Sequence, residues 1–166
     1  MTERVVAVEP GKLVVSGEPD DILVAFGLGS CVAVAAYDPV TKVAGLLHAV
    51  LPRQRDGSNN HSRFVDKGIL LMVEQMERSG ASRIRLRCWI VGGARMMLTS
   101  NGGNVFNIGQ ENVQTALQVL RREQLRLVAS EVGGKVGRTI KLHVNDGRVT
   151  VRQAGGKERL LISDKG

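Results

Sequence analysis

The chain has 166 residues, 43% of them apolar, and a formal charge of +7; this suffices for one self-supporting core, and no apolar run approaches the roughly 20 residues of a membrane span. An aromatic content of 3% leaves few platforms for base stacking, which argues against specific nucleic-acid binding, so the basic charge suits solubility or an acidic partner. Two cysteines, Cys31 and Cys88, and an N-terminus without an apolar leader predict a single cytoplasmic domain over residues 1–166, with short flexible termini and no disulfide.

Residues 12–15 and 22–26 read as short strands, and residues 31–37 as a longer one stopped by Asp38-Pro39. Residues 43–50 form its hairpin partner, a pairing that brings Cys31 and His48 to one end of the hairpin. The polar and basic run from Pro52 to Arg63 predicts a mobile loop beside a site. A helix starts at Val65, with Ile69, Leu70, Met72, Val73 and Met76 at helical spacing, and stops at Ser79-Gly80. Residues 83–91 alternate as a strand, with Ile84, Leu86, Cys88 and Ile90 on the core face and Arg83, Arg85, Arg87 and Trp89 on the other. Asn107 caps a second helix carrying Val113, Ala116, Leu117 and Leu120. Residues 126–132 read as a strand, Gly133-Gly134 and Gly137 as turns, and residues 139–144 with 148–152 as a hairpin around Asn145-Asp146-Gly147. The chain from Ala154 onward reads as loose. Many short strands with two helices predict an α+β fold.

The chemistry concentrates in Gly27-Leu28-Gly29-Ser30-Cys31, followed seventeen residues later by His48. Glycines leave the thiol approachable, the backbone around Gly29 and Ser30 can stabilise an oxyanion, and an imidazole can hold the sulfur as thiolate and move its proton. A buried structural cysteine is the bland alternative for Cys31, and a satisfied core histidine the bland one for His48. Glycines at the cysteine and a following strand that returns an imidazole favour catalysis. His61, in a loop, and His143, in a hairpin, are weaker candidates, and the histidines and cysteines show no metal-ligand spacing. Gly27-Leu28-Gly29 runs into a strand where a dinucleotide fingerprint needs a third glycine and a helix. Gly92 and Gly93 follow a central strand and are candidates to border a substrate channel, while Arg53, Arg55 and Arg63 read as a solvated loop face.

The ordered combination of Gly27-Leu28-Gly29-Ser30-Cys31-Val32, Asp38-Pro39 and His48-Ala49-Val50-Leu51-Pro52 resembles the CheD family of chemoreceptor glutamine deamidases. Phe64-Val65-Asp66, Gly92-Gly93-Ala94 with Met96, Asn107-Ile108-Gly109 with Asn112, and Gly133-Gly134 with Gly137-Arg138 extend the likeness from about Leu13 to Val151. The resemblance implies layered mixed β-sheets flanked by helices, a fold the family shares with cysteine-dependent deamidating toxins. It also implies hydrolysis of glutamine side chains in methyl-accepting chemotaxis receptors, and in some members of glutamyl methyl esters, with Cys31 as nucleophile, His48 as base and acid, and no cofactor or metal. The phosphatase CheC is an implied second partner, and a non-catalytic adaptor binding receptors or CheC is the rival reading. In the family pattern a threonine six positions before the cysteine orients the histidine. Here that position is Ala25, with Ser30, Asn59 and Asn60 as candidate substitutes, and Trp89 stands where the family carries lysine.

Overall fold

Val32-Ala33-Val34-Ala35-Ala36-Tyr37 carries apolar side chains on both faces of an extended chain, and such a strand must be covered twice. The structure is a computed structural model describing residues 2–96 and 107–162. Among them the order is β1 (Arg4–Ala7), β2 (Lys12–Ser16), β3 (Asp21–Leu28), β4 (Val32–Tyr37), β5 (Ala44–Ala49), α1 (Val65–Arg78), β6 (Arg87–Gly92), α2 (Ile108–Arg122), β7 (Arg126–Val132), β8 (Arg138–His143), β9 (Val149–Gln153) and β10 (Arg159–Leu160). One sheet runs β2-β5-β4-β6-β7 and the other β1-β3-β8-β9-β10. Val32, Val34 and Ala36 pack with Leu47, Ile69, Met72 and Val119 in a core shared with the helices. Ala33, Ala35 and Tyr37 pack with Leu23, Leu46, Ile140 and Leu142 between the sheets. The result is a layered α+β fold of two mixed sheets, one of them backed by helices. Each fully buried Val or Leu contributes about 1.5–3 kcal/mol of transfer free energy, so β4 is anchored from both sides.

The predicted hairpin is present, with antiparallel pairing from Val32↔Ala49 to Tyr37↔Ala44. Its turn closes on the fully buried Asp38 carboxylate, which accepts from the N–H groups of Val40 (2.9 Å) and Ser82 (2.8 Å) and from the Arg85 guanidinium (2.9 Å). Burial alone raises this carboxyl's pKa, but Arg85 and the amides outweigh it and hold the group well below the usual carboxylate range. In α1, Ile69, Met72, Val73 and Met76 are buried, as their spacing predicts. Asn107 caps α2, its Oδ1 accepting from the Gln110 N–H at 3.1 Å. The buried stripe of α2 is Gly109, Asn112, Thr115, Ala116, Val119 and Leu120, while Val113 and Leu117 lie partly buried at its margin.

Three expectations are corrected. Residues 83–91 are not one strand: Arg83–Arg85 form a 3-10 turn, fixed by Arg85 on Asp38 and Arg83 on Glu123 (2.9 Å), and Ile84 is 90% exposed. Trp89, placed by alternation on the arginine face, is 5% exposed between the sheets, because β6 is covered on both sides. Cys88 does lie in the core, where burial pushes its thiol up to about 12. The described parts of the termini are not loose. β1 pairs parallel with β3, helped by an Arg4–Asp21 ion pair at 2.8 Å, and β10 pairs antiparallel with β9. No helix among the described residues is long and apolar enough to cross a membrane.

Candidate active site

Continuing the Val32↔Ala49 register by one step sets Cys31 opposite Val50, two residues beyond His48. Residues two apart on a strand share a face, so this register sets Cys31 and His48 diagonally on the face that turns toward the second sheet. The side chains agree: Cys31 packs against the core between the sheets, and the His48 ring reaches Val8 of that same core. Both residues thus lie toward the end of the hairpin where β4 begins and β5 ends.

His48 is 2% exposed, and its Nδ1 lies 2.9 Å from the Val8 carbonyl oxygen. A carbonyl only accepts, so Nδ1 carries the proton and Nε2 keeps its lone pair. Burial lowers the pKa of the ring, against the opposing pull of the Val8 carbonyl and Glu9, and the resting imidazole is neutral at pH 7. The group that orients the histidine is thus a main-chain carbonyl, and not Ser30, Asn59 or Asn60. Ala25 is fully buried in the core between the sheets, paired with Ile140. Trp89 occupies the same core, and its Nε1 has no hydrogen-bond partner there.

Cys31 is half-buried. Burial raises its pKa, against its own amide and the positive charge of Arg63, which disfavours a thiolate in the absence of substrate. Among the described residues no hydrogen bond joins Sγ to the His48 ring. The backbone around the sulfur is firmly held. The Gly93 N–H donates to the Cys31 carbonyl and the Ala94 N–H to the Gly29 carbonyl, both at 2.8 Å. Among the described residues the Ser30 N–H has no main-chain acceptor, while the Cys31 N–H bears on its own sulfur.

Gly92 and Gly93 act first as backbone supports for the cysteine. Gly92 has φ +112°, and a Cβ there would fall well inside 3.0 Å of the Cys31 carbonyl oxygen. Gly93 also lines a cavity of about 420 Å³ with Arg95, Val132 and Gly134, a cavity that neither Cys31 nor His48 lines. On the β5 side of Cys31, a groove of about 690 Å³ is lined by Leu51, Arg53, Arg55, Arg63, Phe64 and Glu111. The arginine loop assigned to solvent therefore borders a depression, which Cys31 itself does not line. His61 bonds Gln54 (2.7 Å) and His143 faces Arg148 (3.1 Å), and neither joins the site. Two participants were given no role from sequence, although Asn112 stood among the residues of the family likeness. The Val8 carbonyl leaves no side-chain signature, whereas Asn112, a fully buried amide within an apolar helix stripe, is a visible signal.

The family model described as CheD chemotactic sensory transduction matches residues 50–153. A protein of Symbiobacterium thermophilum named probable chemoreceptor glutamine deamidase CheD is 39% identical over 161 residues, covering 95% of this chain and 98% of its own. Relatives of the same name from Pyrococcus abyssi and Pyrococcus horikoshii are 42% and 43% identical, covering 84% and 82% of this chain and 86% and 85% of their own. The crystal structure of the Bacillus licheniformis hypothetical protein YfiH aligns at TM-score 0.42 and 14% identity over 84% of this chain and 69% of its own, a likeness too weak to add to the fold described above. With a family match over most of its length and relatives that align along nearly all of it, the chain belongs to the CheD family.

Proposed function

We propose that this protein deamidates glutamine side chains of chemoreceptors, the activity for which its relatives are named, with Cys31 as nucleophile and His48 as general base and acid. His48 Nε2 takes the thiol proton as Sγ bonds to the carboxamide carbon, and the oxyanion is received by the N–H groups of Ser30 and Cys31. The intermediate collapses by breaking the carbon–nitrogen bond, and the imidazolium returns its proton to the departing ammonia. Water, deprotonated by the same ring, then cleaves the thioester to give glutamate and restores the thiol. A glutamyl methyl ester enters the same cycle with methanol as leaving group. Nothing in the cycle calls for a cofactor.

The single observation that carries this reading is the bond from His48 Nδ1 to the Val8 carbonyl, which fixes the tautomer a base at Nε2 requires. A thiol and a neutral imidazole are also a workable resting pair, because contacts between nucleophile and base commonly tighten only when substrate binds. The proposed setting is the cytoplasm, with methyl-accepting receptors as substrate and the phosphatase CheC as a further partner by family likeness. The raised pKa of Cys31 and the absence of a bond from Sγ to the ring favour a second reading, a non-catalytic adaptor on the same surface. Mass spectrometry of a receptor's cytoplasmic fragment, after incubation with wild type, Cys31→Ala and His48→Ala, separates the two. Amide-to-acid mass gain with wild type alone supports deamidation. A gain with all three or with none overturns it, and binding without conversion establishes the adaptor.

A further inference from the structure

We infer that Asn112 is a positioning residue for the thiol and imidazole, its carboxamide standing in for the backbone rung that the β4–β5 hairpin lacks at its reactive end. The inference rests on Cys31 and His48 being the reacting pair. The ladder between these strands stops at Val32↔Ala49, one step short of Cys31. Rungs fall at every second pair of an antiparallel ladder, and the next after Val32↔Ala49 would join Ser30 to Leu51, but there the Leu51 N–H turns away to the Arg63 carbonyl (3.2 Å). The Ser30 carbonyl, next to the thiol, is therefore left without the Leu51 donor that a continued ladder would give it.

Asn112 fills that gap from outside the sheet. Its Nδ2 donates to the Ser30 carbonyl at 2.9 Å and to the Val50 carbonyl at 3.0 Å, using both hydrogens. Ser30 immediately precedes the thiol, and Val50 is the residue opposite it. The side chain is fully buried, and its Oδ1 has no partner among the described residues. A buried acceptor left unsatisfied is a cost, and stability alone would favour an apolar residue in this stripe of α2. Only the donor pair offsets that cost, and both donors point at the two segments carrying the chemistry. Aspartate would turn lone pairs toward two carbonyl oxygens, while leucine would leave both carbonyls without their donor.

The test compares Asn112→Asp and Asn112→Leu with Leu120→Ala, a substitution at a buried position of the same helix that touches neither segment. All are assayed on a receptor cytoplasmic fragment, below their unfolding temperatures, beside wild type and Cys31→Ala. Misplacement of reacting groups by an ångström costs up to about 100-fold. We expect the Asn112 variants to lose between about tenfold and 100-fold in kcat, with KM held within about threefold and Cys31 alkylation slowed in parallel. Leu120→Ala, although destabilised, should keep kcat within about twofold. Asn112 variants that retain wild-type kcat, or a Leu120→Ala enzyme equally impaired, overturn the inference. Activity that survives Cys31→Ala overturns instead the reading on which it rests.

Discussion

Replacing Gly92 by alanine probes how the cysteine is held. The residue sits at φ +112°, and its missing Cβ leaves room for the Cys31 carbonyl oxygen. Two penalties combine. Forcing an L-residue into that backbone region costs about 1–3 kcal/mol. The obstacle is a main-chain carbonyl that is itself hydrogen-bonded, not a pliable side chain, so overpacking adds about 1–3 kcal/mol more. Gly80, after α1, isolates the first effect, because it has φ +103° with open space where a Cβ would go. We expect Gly92→Ala to lose about 2–6 kcal/mol, the sum of both, and Gly80→Ala about 1–3 kcal/mol. Trp89, the sole tryptophan and buried between the sheets, reports both unfolding transitions by its fluorescence in urea. The rate of glutamine conversion then separates position from stability. Under folding conditions Gly92→Ala should slow it by at least about tenfold, while Gly80→Ala stays within about twofold. Equal stability losses, or a Gly92→Ala enzyme as fast as Gly80→Ala, would refute the claim that this glycine exists to seat the cysteine.

Because burial raises the pKa of Cys31, its alkylation by iodoacetamide should be slow at pH 7 and climb through and beyond the ordinary thiol range near pH 8.5; a plateau reached below pH 7 would show a standing thiolate instead. His48 titrates lower in the folded protein than in the unfolded chain, so folded-state stability is lost as pH falls below about 6.5, and His48→Gln should flatten that limb of a pH series of urea unfolding curves. The Asp38 carboxyl is likewise depressed in the folded state. Its contribution is present above about pH 4 and fades as pH falls below that value, so Asp38→Asn should cost about 3–5 kcal/mol at pH 7 and distinctly less at pH 3 in urea unfolding.

The hairpin that follows Cys31 and carries His48 was legible because its signals are local: an apolar run, a breaker at Asp38-Pro39, and a return strand of matching length. The two helices were legible for the same reason. The phase of α2 was missed by about a residue, since the buried stripe includes Asn112 and Thr115, which a hydrophobicity pattern skips. Alternation misplaced Trp89 because period-two reasoning assumes one wet face, and β6 has none. It misread residues 83–85 because ion pairs to Asp38 and Glu123, distant in sequence, select a turn there. The parallel pairing of β1 with β3 is equally non-local. Within the site, reactive groups were readable as residue types, whereas their electrostatic state was not: desolvation of Cys31 depends on how the sheets close over it.

The contact between His48 and the peptide oxygen at position 8 has an evolutionary corollary. A directing group that belongs to the chain itself survives every side-chain replacement at its own position, so selection can drift through apolar residues there without touching the histidine's protonation pattern. An alanine at position 25 therefore leaves the direction of the histidine's Nδ1 unchanged.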